Sequence, residues 1–370
     1  MAGYERNTPP FRAEHIGSLL RPPELIAAHH DVAAGTLSAD AFRAVLEKCI
    51  REVVLLQENT GLESVTDGEF RRGSYFAHFI DALDGMTDEV SLFAFHDDAG
   101  KKYEFRAPHV VGKLQRKRGI STEEFQFLKN VTQKTPKVTM PSPSTMHFLR
   151  GRKGVDTTAY PDEDRMFDDL VRIYREELAD LARLGARYIQ IDEVPLAMLC
   201  DPAIAETVRQ RGEDPVRLVR KYFAMLDGVV KDRPKGMTIG LHLCRGNYKA
   251  KWLAAGGYDA IAERLFGGVD VDAYFLEYDS PRAGDFTPLK YLSPHKIAVL
   301  GLISSKSPEM ESIDHLKRRV DEASRFVPLE RLAISPQCGF ATSVGSKPMS
   351  LDEQIRKIEL IVNASRQIWR

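Results

Sequence analysis

His242 and Cys244 stand two residues apart in the apolar run Met237-Thr238-Ile239-Gly240-Leu241-His242-Leu243-Cys244. Side chains in a strand repeat with a period of two, so both would project from one face. Glu277 closes the run Ala273-Tyr274-Phe275-Leu276-Glu277, and Cys338 follows Leu332-Ala333-Ile334-Ser335-Pro336-Gln337. Imidazole, thiolate and carboxylate together form a donor set for tetrahedral zinc, and a zinc site that does chemistry keeps one position open or displaceable. The spacing is not that of a structural zinc module, because there is no C-x-x-C pair and the donors come from three remote segments. An isolated H-x-C pair also suits a packed histidine beside a small buried thiol. The strand-end placement of Glu277 and Cys338 favours the metal. The chemistry expected of such a site is thiol activation: a free thiol, with a pKa of about 8.5, is mostly protonated at neutral pH, and the charge of the metal removes that proton for attack on carbon.

Other polar groups fall at the ends of apolar runs. Asp67-Gly68-Glu69 follows one run with Arg71 and Arg72 close behind, and Gln190-Ile191-Asp192-Glu193 ends another, where alternation turns Gln190 and Asp192 to the same side. Carboxylates so placed could bind a substrate ammonium, while the arginine pair suits either a carboxylate clamp or a solvated loop. Asp192 and Glu193 could equally cap a helix or join a barrel ion pair. Ser18 reads as a substrate contact or a turn hydroxyl, and His15 as a mouth-facing polar group or a packed ring. Cys49 falls in a helical apolar pattern and Cys200 after Ala197-Met198-Leu199, so both read as packing residues.

The elements that must carry these groups alternate. Strand-like runs lie at 13–17, 63–66, 137–140, 188–191, 238–242, 274–276, 297–300 and 332–334, with amphipathic stretches at 39–60, 161–184, 215–231, 258–266, 312–326 and 351–366. Eight short apolar strands separated by helices predict a single (β/α)8 TIM barrel over residues 1–370, with function at the C-terminal ends of the strands. Residues 75–135 break the repeat. There Val90 to Phe95 and Tyr103 to Arg106 flank Asp97-Asp98-Ala99-Gly100, which predicts a hairpin inserted after the second strand and able to cover the barrel mouth.

The 370 residues carry 52 basic and 53 acidic side chains, a net charge of −1, with both signs intermixed. Such a balance points away from nucleic acid and membrane phosphates as partners. Four scattered cysteines, the absence of a basic-plus-apolar leader and the lack of a membrane-length apolar stretch predict a protein of the reducing cytoplasm.

Taken in order, His15-Ile16-Gly17-Ser18, Asp67-Gly68-Glu69, Gln190-Ile191-Asp192-Glu193, His242-Leu243-Cys244, Glu277 and Pro336-Gln337-Cys338-Gly339 resemble the catalytic domain of cobalamin-independent methionine synthase. The run Leu276-Glu277-Tyr278-Asp279-Ser280-Pro281-Arg282 is similar to the shorter, single-barrel members. The resemblance implies zinc held by His242, Cys244, Glu277 and Cys338, homocysteine held by Ser18, Glu69 and Asp192, and S-methyl transfer to that thiol. It also implies a barrel fold.

Two departures bear on the methyl donor. The family's full-length synthases carry an N-terminal half that helps hold a methylfolate polyglutamate, and nothing here replaces it. Where the family has a histidine implicated in proton delivery, this chain reads Ser304-Ser305-Lys306-Ser307-Pro308. Lys306 could donate a proton if burial lowered its pKa, or bind an anionic group. Methylfolate and a methylcorrinoid protein both stand as donors, and the two departures predict poor use of a methylfolate polyglutamate and a simpler or protein-delivered donor in its place. Relatives on the same scaffold attack other electrophiles, such as epoxyalkanes with coenzyme M. A zinc hydrolase is disfavoured, since two thiolates make zinc a poorer acid for water and no H-E-x-x-H carboxylate base stands nearby; a non-catalytic metal-binding role is disfavoured by the polar groups expected at the mouth.

Overall fold

Runs of β-branched and aromatic residues long enough for one pass of a buried strand, separated by capped amphipathic helices, leave the chain little choice but a parallel sheet wrapped by helices. The computed structural model describes residues 6–96, 101–248 and 251–370. Its strands are β1 (Ser64–Val65), β2 (Leu83–Val90), β3 (Phe95–His96), β4 (Lys102–Tyr103), β5 (Arg106–Arg116), β6 (Thr135–Pro141), β7 (Tyr188–Asp192), β8 (Thr238–Leu243), β9 (Ala273–Glu277), β10 (Ile297–Ile303) and β11 (Leu332–Pro336). Seven of them form one curled parallel sheet in the order β1-β6-β7-β8-β9-β10-β11, a TIM-barrel-like arrangement.

The long helices start where their sequences allow. Ser38 accepts a hydrogen bond from the Ala41 N–H at the start of Ala39–Thr60, Asp162 does the same for Glu163–Leu184, and Ser350 forms a capping box with Glu353 before Leu351–Ile368. Their apolar faces cover the outside of the sheet. Inside it, Tyr188, Phe275, Val299 and Ala333 pack with Ile16 across the barrel floor. Gly240 makes room for this layer, since a β-carbon there would stand 2.7 Å from the Phe275 ring. Below, the Lys137 ammonium meets Glu14 Oε2 at 3.2 Å with both side chains fully buried, and Tyr188 and Ser64 hydroxyls also donate to Glu14.

The eighth strand expected at 13–17 is not a ladder. Segment 12–14 touches β11 through one parallel bridge, Ala13 to Ile334, and Gly17 then gives its carbonyl to the Thr66 hydroxyl. Glu14 explains the difference: its side chain takes hydrogen bonds from Phe11 N–H, Ser64 and Tyr188, so side-chain bonds close this seam in place of a strand ladder.

Between β1 and β6 the described residues make two antiparallel pairs. β2 runs antiparallel to β5, from Leu83 opposite Arg116 to Val90 opposite Arg106, while β3 and β4 make only a short pair, Phe95 with Tyr103 and His96 with Lys102. The expected turn at 97–100 lies outside the described residues. The remainder of segment 75–135 includes a helix, Thr122–Val131, packed beside Glu163–Leu184. Among the described residues no helix is long and apolar enough to cross a membrane.

Candidate active site

The C-terminal end of β8 places His242 and Cys244 on one face, and the loop after β11 brings Cys338 to them. The two sulfurs lie 3.8 Å apart, and the donor atoms of His242, Cys244 and Cys338 all fall within 4.8 Å of one another. All three side chains are buried, yet neither ring nitrogen of His242 has a hydrogen-bond partner. A buried imidazole with both nitrogens unsatisfied is costly unless something else occupies it. A hydrogen bond from Cys338 outweighs burial and holds the Cys244 thiol well below its ordinary pKa, with the His242 charge adding to the effect; the same bond pushes Cys338 up. One thiolate beside a soft nitrogen donor is the beginning of a metal cage.

Glu277, at the end of β9, is adjacent but is not part of that cluster. Its Oε1 accepts from Arg282 Nη2 at 2.5 Å and Lys306 Nζ at 3.2 Å, and its Oε2 from the Arg245 N–H at 2.7 Å. Burial alone would raise its pKa; Lys306, Arg282 and Arg245 outweigh that and hold it at about 2. The expectation of four converging donors is thus met by three, with the fourth turned to a set of cations.

A cavity of about 370 Å³ opens above the cluster. Ser18, Glu69, Asp192, His242, Cys244 and Cys338 share it. Glu69 sits in the left-handed region at φ 59°, a conformation that costs free energy for a residue other than glycine. Its N–H donates to Asp67 Oδ1 at 2.8 Å, and its carboxylate accepts from the Thr139 hydroxyl at 2.8 Å, with Arg72 at 3.4 Å. Asp192 accepts from the Gln190 amide at 2.8 Å; burial pushes its pKa up to about 7, against the pull of His242 and with the help of Glu69. Two carboxylates therefore face one space, Glu69 in an ion pair with Arg72 and Asp192 held by the Gln190 amide.

His15 does not line this cavity. Ile16 and Ser18 do, and the alternation of the chain turns His15 away into the protein, where burial and the nearby Lys137 charge keep its ring neutral. Lys306 is likewise absent from the lining. Burial would lower its pKa, but Glu277 raises it instead, the reverse of what a proton-donating role needs. Arg71 lies over the Phe127 ring and Arg72 is buried against Glu124 and Thr139, so neither is a clamp in the cavity. Glu193 caps the short helix Val194–Met198 through the Leu196 N–H.

Several lining groups escaped the sequence reading. Phe95, Phe105 and Tyr248 form an aromatic wall, with ring centroids 5.0, 5.4 and 6.0 Å apart. Asn247 donates to the Gly339 carbonyl at 3.1 Å and Thr342 to the Asn247 carbonyl at 2.7 Å, tying the loop after β8 to the loop after β11. Only the alternation around Phe95 and Phe105 hinted at any of this.

Residues 11–366 match the family described as cobalamin-independent synthase, catalytic domain. The protein YxjH of Bacillus subtilis (strain 168), itself uncharacterised, is 37% identical over 98% of this chain and 95% of its own length. A 5-methyltetrahydropteroyltriglutamate–homocysteine methyltransferase of Lactococcus lactis subsp. cremoris (strain MG1363) is 24% identical over 98% of this chain, which spans 44% of that protein. Among solved structures, a Listeria monocytogenes protein assigned as a vitamin-B12-independent methionine synthase superposes with a TM-score of 0.76 at 30% identity, covering 99% of this chain and 100% of that one. The methylcorrinoid donor finds no support in these relatives. The chain belongs to the catalytic-domain family of the cobalamin-independent methionine synthases, and it is a methyltransferase of that family.

Proposed function

We propose that this protein is a zinc-dependent S-methyltransferase that converts homocysteine to methionine. The observation that carries the reading is the buried trio His242, Cys244 and Cys338, with an unsatisfied imidazole, on the floor of a cavity whose walls present Glu69 and Asp192. Zinc suits two sulfurs and a nitrogen with a fourth position left over, and when bound it would supply the charge that turns the incoming thiol into a nucleophile.

The chain's own residues do the rest. Glu69, fixed by Thr139 and the Asp67 turn, and Asp192, fixed by Gln190, offer two carboxylates to the homocysteine ammonium, and Ser18 offers a hydroxyl beside them. Holding the amino end fixes where the sulfur reaches, which is the proximity part of the rate enhancement. The wall of Phe95, Phe105 and Tyr248 faces the remaining space and suits the flat heteroaromatic body of a methylfolate, placing its methyl group toward the sulfur. The apolar wall also excludes water, which would compete with the thiol.

The purified protein is expected to hold about one zinc per chain, and Cys244→Ser and Cys338→Ser are each expected to lose most of it. With cobalt in place of zinc, homocysteine should change the visible absorption as a third sulfur joins the site. A cobalt spectrum indifferent to homocysteine and to other small thiols would overturn the assignment.

A further inference from the structure

Glu69 owes its setting in part to a residue of the segment between β5 and β6. Arg21 Nη2 donates to the carbonyls of Glu69 and Arg72, both at 2.7 Å, which fixes the backbone of the left-handed turn. The side chain is fixed separately. Glu124, in the first turn of Thr122–Val131, accepts from Arg72 Nη2 at 2.6 Å, and the Thr139 carbonyl accepts from the same nitrogen at 2.8 Å. Arg72 Nη1 donates to the Thr139 hydroxyl at 2.9 Å, and that hydroxyl donates to Glu69 Oε1 at 2.8 Å. A guanidinium cannot accept a hydrogen bond, so the single proton of the Thr139 hydroxyl must point at Glu69. The Thr139 methyl packs against Gly17, where a β-carbon would stand 2.7 Å from it, and this sets the rotamer that turns the hydroxyl between Arg72 and Glu69. Arg72 itself meets Glu69 Oε1 only at 3.4 Å. Arg72, Glu124 and Thr139 are all buried.

We propose that Glu124 is a positioning residue for acceptor recognition: it holds the Arg72 guanidinium against Thr139, so that Glu69 is oriented by a neutral hydroxyl and keeps its charge for the substrate ammonium. The inference rests on the homocysteine reading above. Without Glu124, Arg72 Nη2 would keep only the Thr139 carbonyl, and the guanidinium would be drawn onto Glu69 in the short, bidentate pairing that arginine favours. A carboxylate paired in that way offers little to an ammonium. Burial would lower the pKa of Arg72, but Glu124, Glu69 and Asp67 raise it, so the guanidinium stays charged. Burial, with Asp67 and Glu69 close by, pushes Glu124 up to about 8 in spite of Arg72. Its Oε1 can accept from Arg72 in either protonation state, so the anchor does not depend on that charge. Because Glu124, Arg72 and Thr139 do not line the cavity, their effect reaches the substrate only through Glu69.

The test compares homocysteine with 4-mercaptobutyrate, which lacks the amino group, through the thiol concentration that half-converts the cobalt spectrum. Glu124→Leu should lower the preference for homocysteine about tenfold, the size of one hydrogen bond to a charged group, with 4-mercaptobutyrate affinity and zinc content unchanged. Thr139→Val removes the hydroxyl at the other end of the relay and should do the same. Glu124→Gln keeps an acceptor oxygen for Arg72 and should restore most of the preference. In a Glu69→Gln background neither Glu124→Leu nor Thr139→Val should alter it further, because both act through that carboxylate. Equal weakening of the two thiols would mark a merely structural role and overturn the proposal, as would an unchanged preference in the folded, zinc-loaded variants. If Glu124→Leu does not fold, Thr139→Val decides by the same readings. Wild-type protein that binds 4-mercaptobutyrate as tightly as homocysteine would overturn the proposal together with the acceptor it rests on.

Discussion

Gly339 lies against Ser18 so closely that a β-carbon at position 339 would stand 1.9 Å from the Ser18 hydroxyl oxygen. The contact joins the residue after Cys338 to the first segment of the chain, and the Phe340 N–H reinforces it by donating to the Ser18 carbonyl at 2.9 Å. Gly339→Ala must therefore move Ser18, Cys338 or both. We expect a folded protein destabilised by about 1–3 kcal/mol, as for other overpacked sites, with weakened homocysteine binding and reduced zinc content. Thermal unfolding, elemental analysis and the cobalt titration read these separately. A variant with wild-type zinc and thiol affinity would show that the loop absorbs the extra carbon elsewhere.

Asp192 sets a pH dependence whose sign follows from its environment. Burial raises its pKa to about 7, so the carboxyl loses its charge as pH falls through that value, and only the ionised form attracts an ammonium. Homocysteine affinity should rise with pH across this range. The thiol also loses a proton on binding, so the informative quantity is the ratio of homocysteine affinity to that of 4-mercaptobutyrate, which lacks the amino group. With a pKa of about 7, that ratio should grow by up to about tenfold between about pH 6 and about pH 8. Asp192→Asn should flatten it. A ratio that stays constant in the wild type would remove Asp192 from ammonium recognition.

The pair Lys137 and Glu14 is buried against the rings of Tyr188 and Phe275. Both are fully buried, so removing one partner leaves an uncompensated charge, which typically costs about 3–5 kcal/mol. Lys137→Met should lower the melting temperature markedly, and adding Glu14→Gln should recover part of the loss because Tyr188 and Ser64 can still donate to the amide oxygen. Zinc content of the folded fraction should not change in either variant. Equal melting temperatures for wild type and Lys137→Met would show that the ammonium is dispensable to the floor.

How much of this was legible in the sequence depended on whether a residue's role follows from its own segment. Seven parallel strands stand where apolar runs predicted them, because a strand buried on both faces must be apolar throughout. His242 and Cys244 were readable for the same reason, since period two fixes their shared face. The seam at 13–17 was misread as a strand because Glu14 satisfies its neighbours with side-chain oxygens, which leave no periodic trace. Helix Thr122–Val131 was hidden in a segment that read as hairpin, its short apolar face reduced to Phe125 and Leu128. Lys306 could not be assigned at all from its neighbours: its partner Glu277 is 29 residues away, and the charge that sets its pKa exists only once β9 and β10 are side by side.

The aromatic wall makes a prediction about the methyl donor. Among the described residues that line the cavity, Arg106 is the one guanidinium or ammonium, and it is paired with Asp88 Oδ1 at 2.8 Å, whereas Phe95, Phe105 and Tyr248 offer a continuous apolar face. Recognition should therefore fall on the ring system of a methylfolate and little on its glutamate tail. Methyltetrahydrofolate monoglutamate and triglutamate should show KM values within about fivefold of each other, the range that solvent-exposed ion pairs supply. Phe105→Ala should raise donor KM by about fivefold or more, since loss of a stacked ring costs about 1–3 kcal/mol, while leaving the homocysteine-dependent cobalt spectrum as in the wild type. Steady-state methyl transfer with the two donors and both proteins decides the matter. A strong triglutamate preference that survives Phe105→Ala would place donor recognition on charges outside the cavity and not on its aromatic wall.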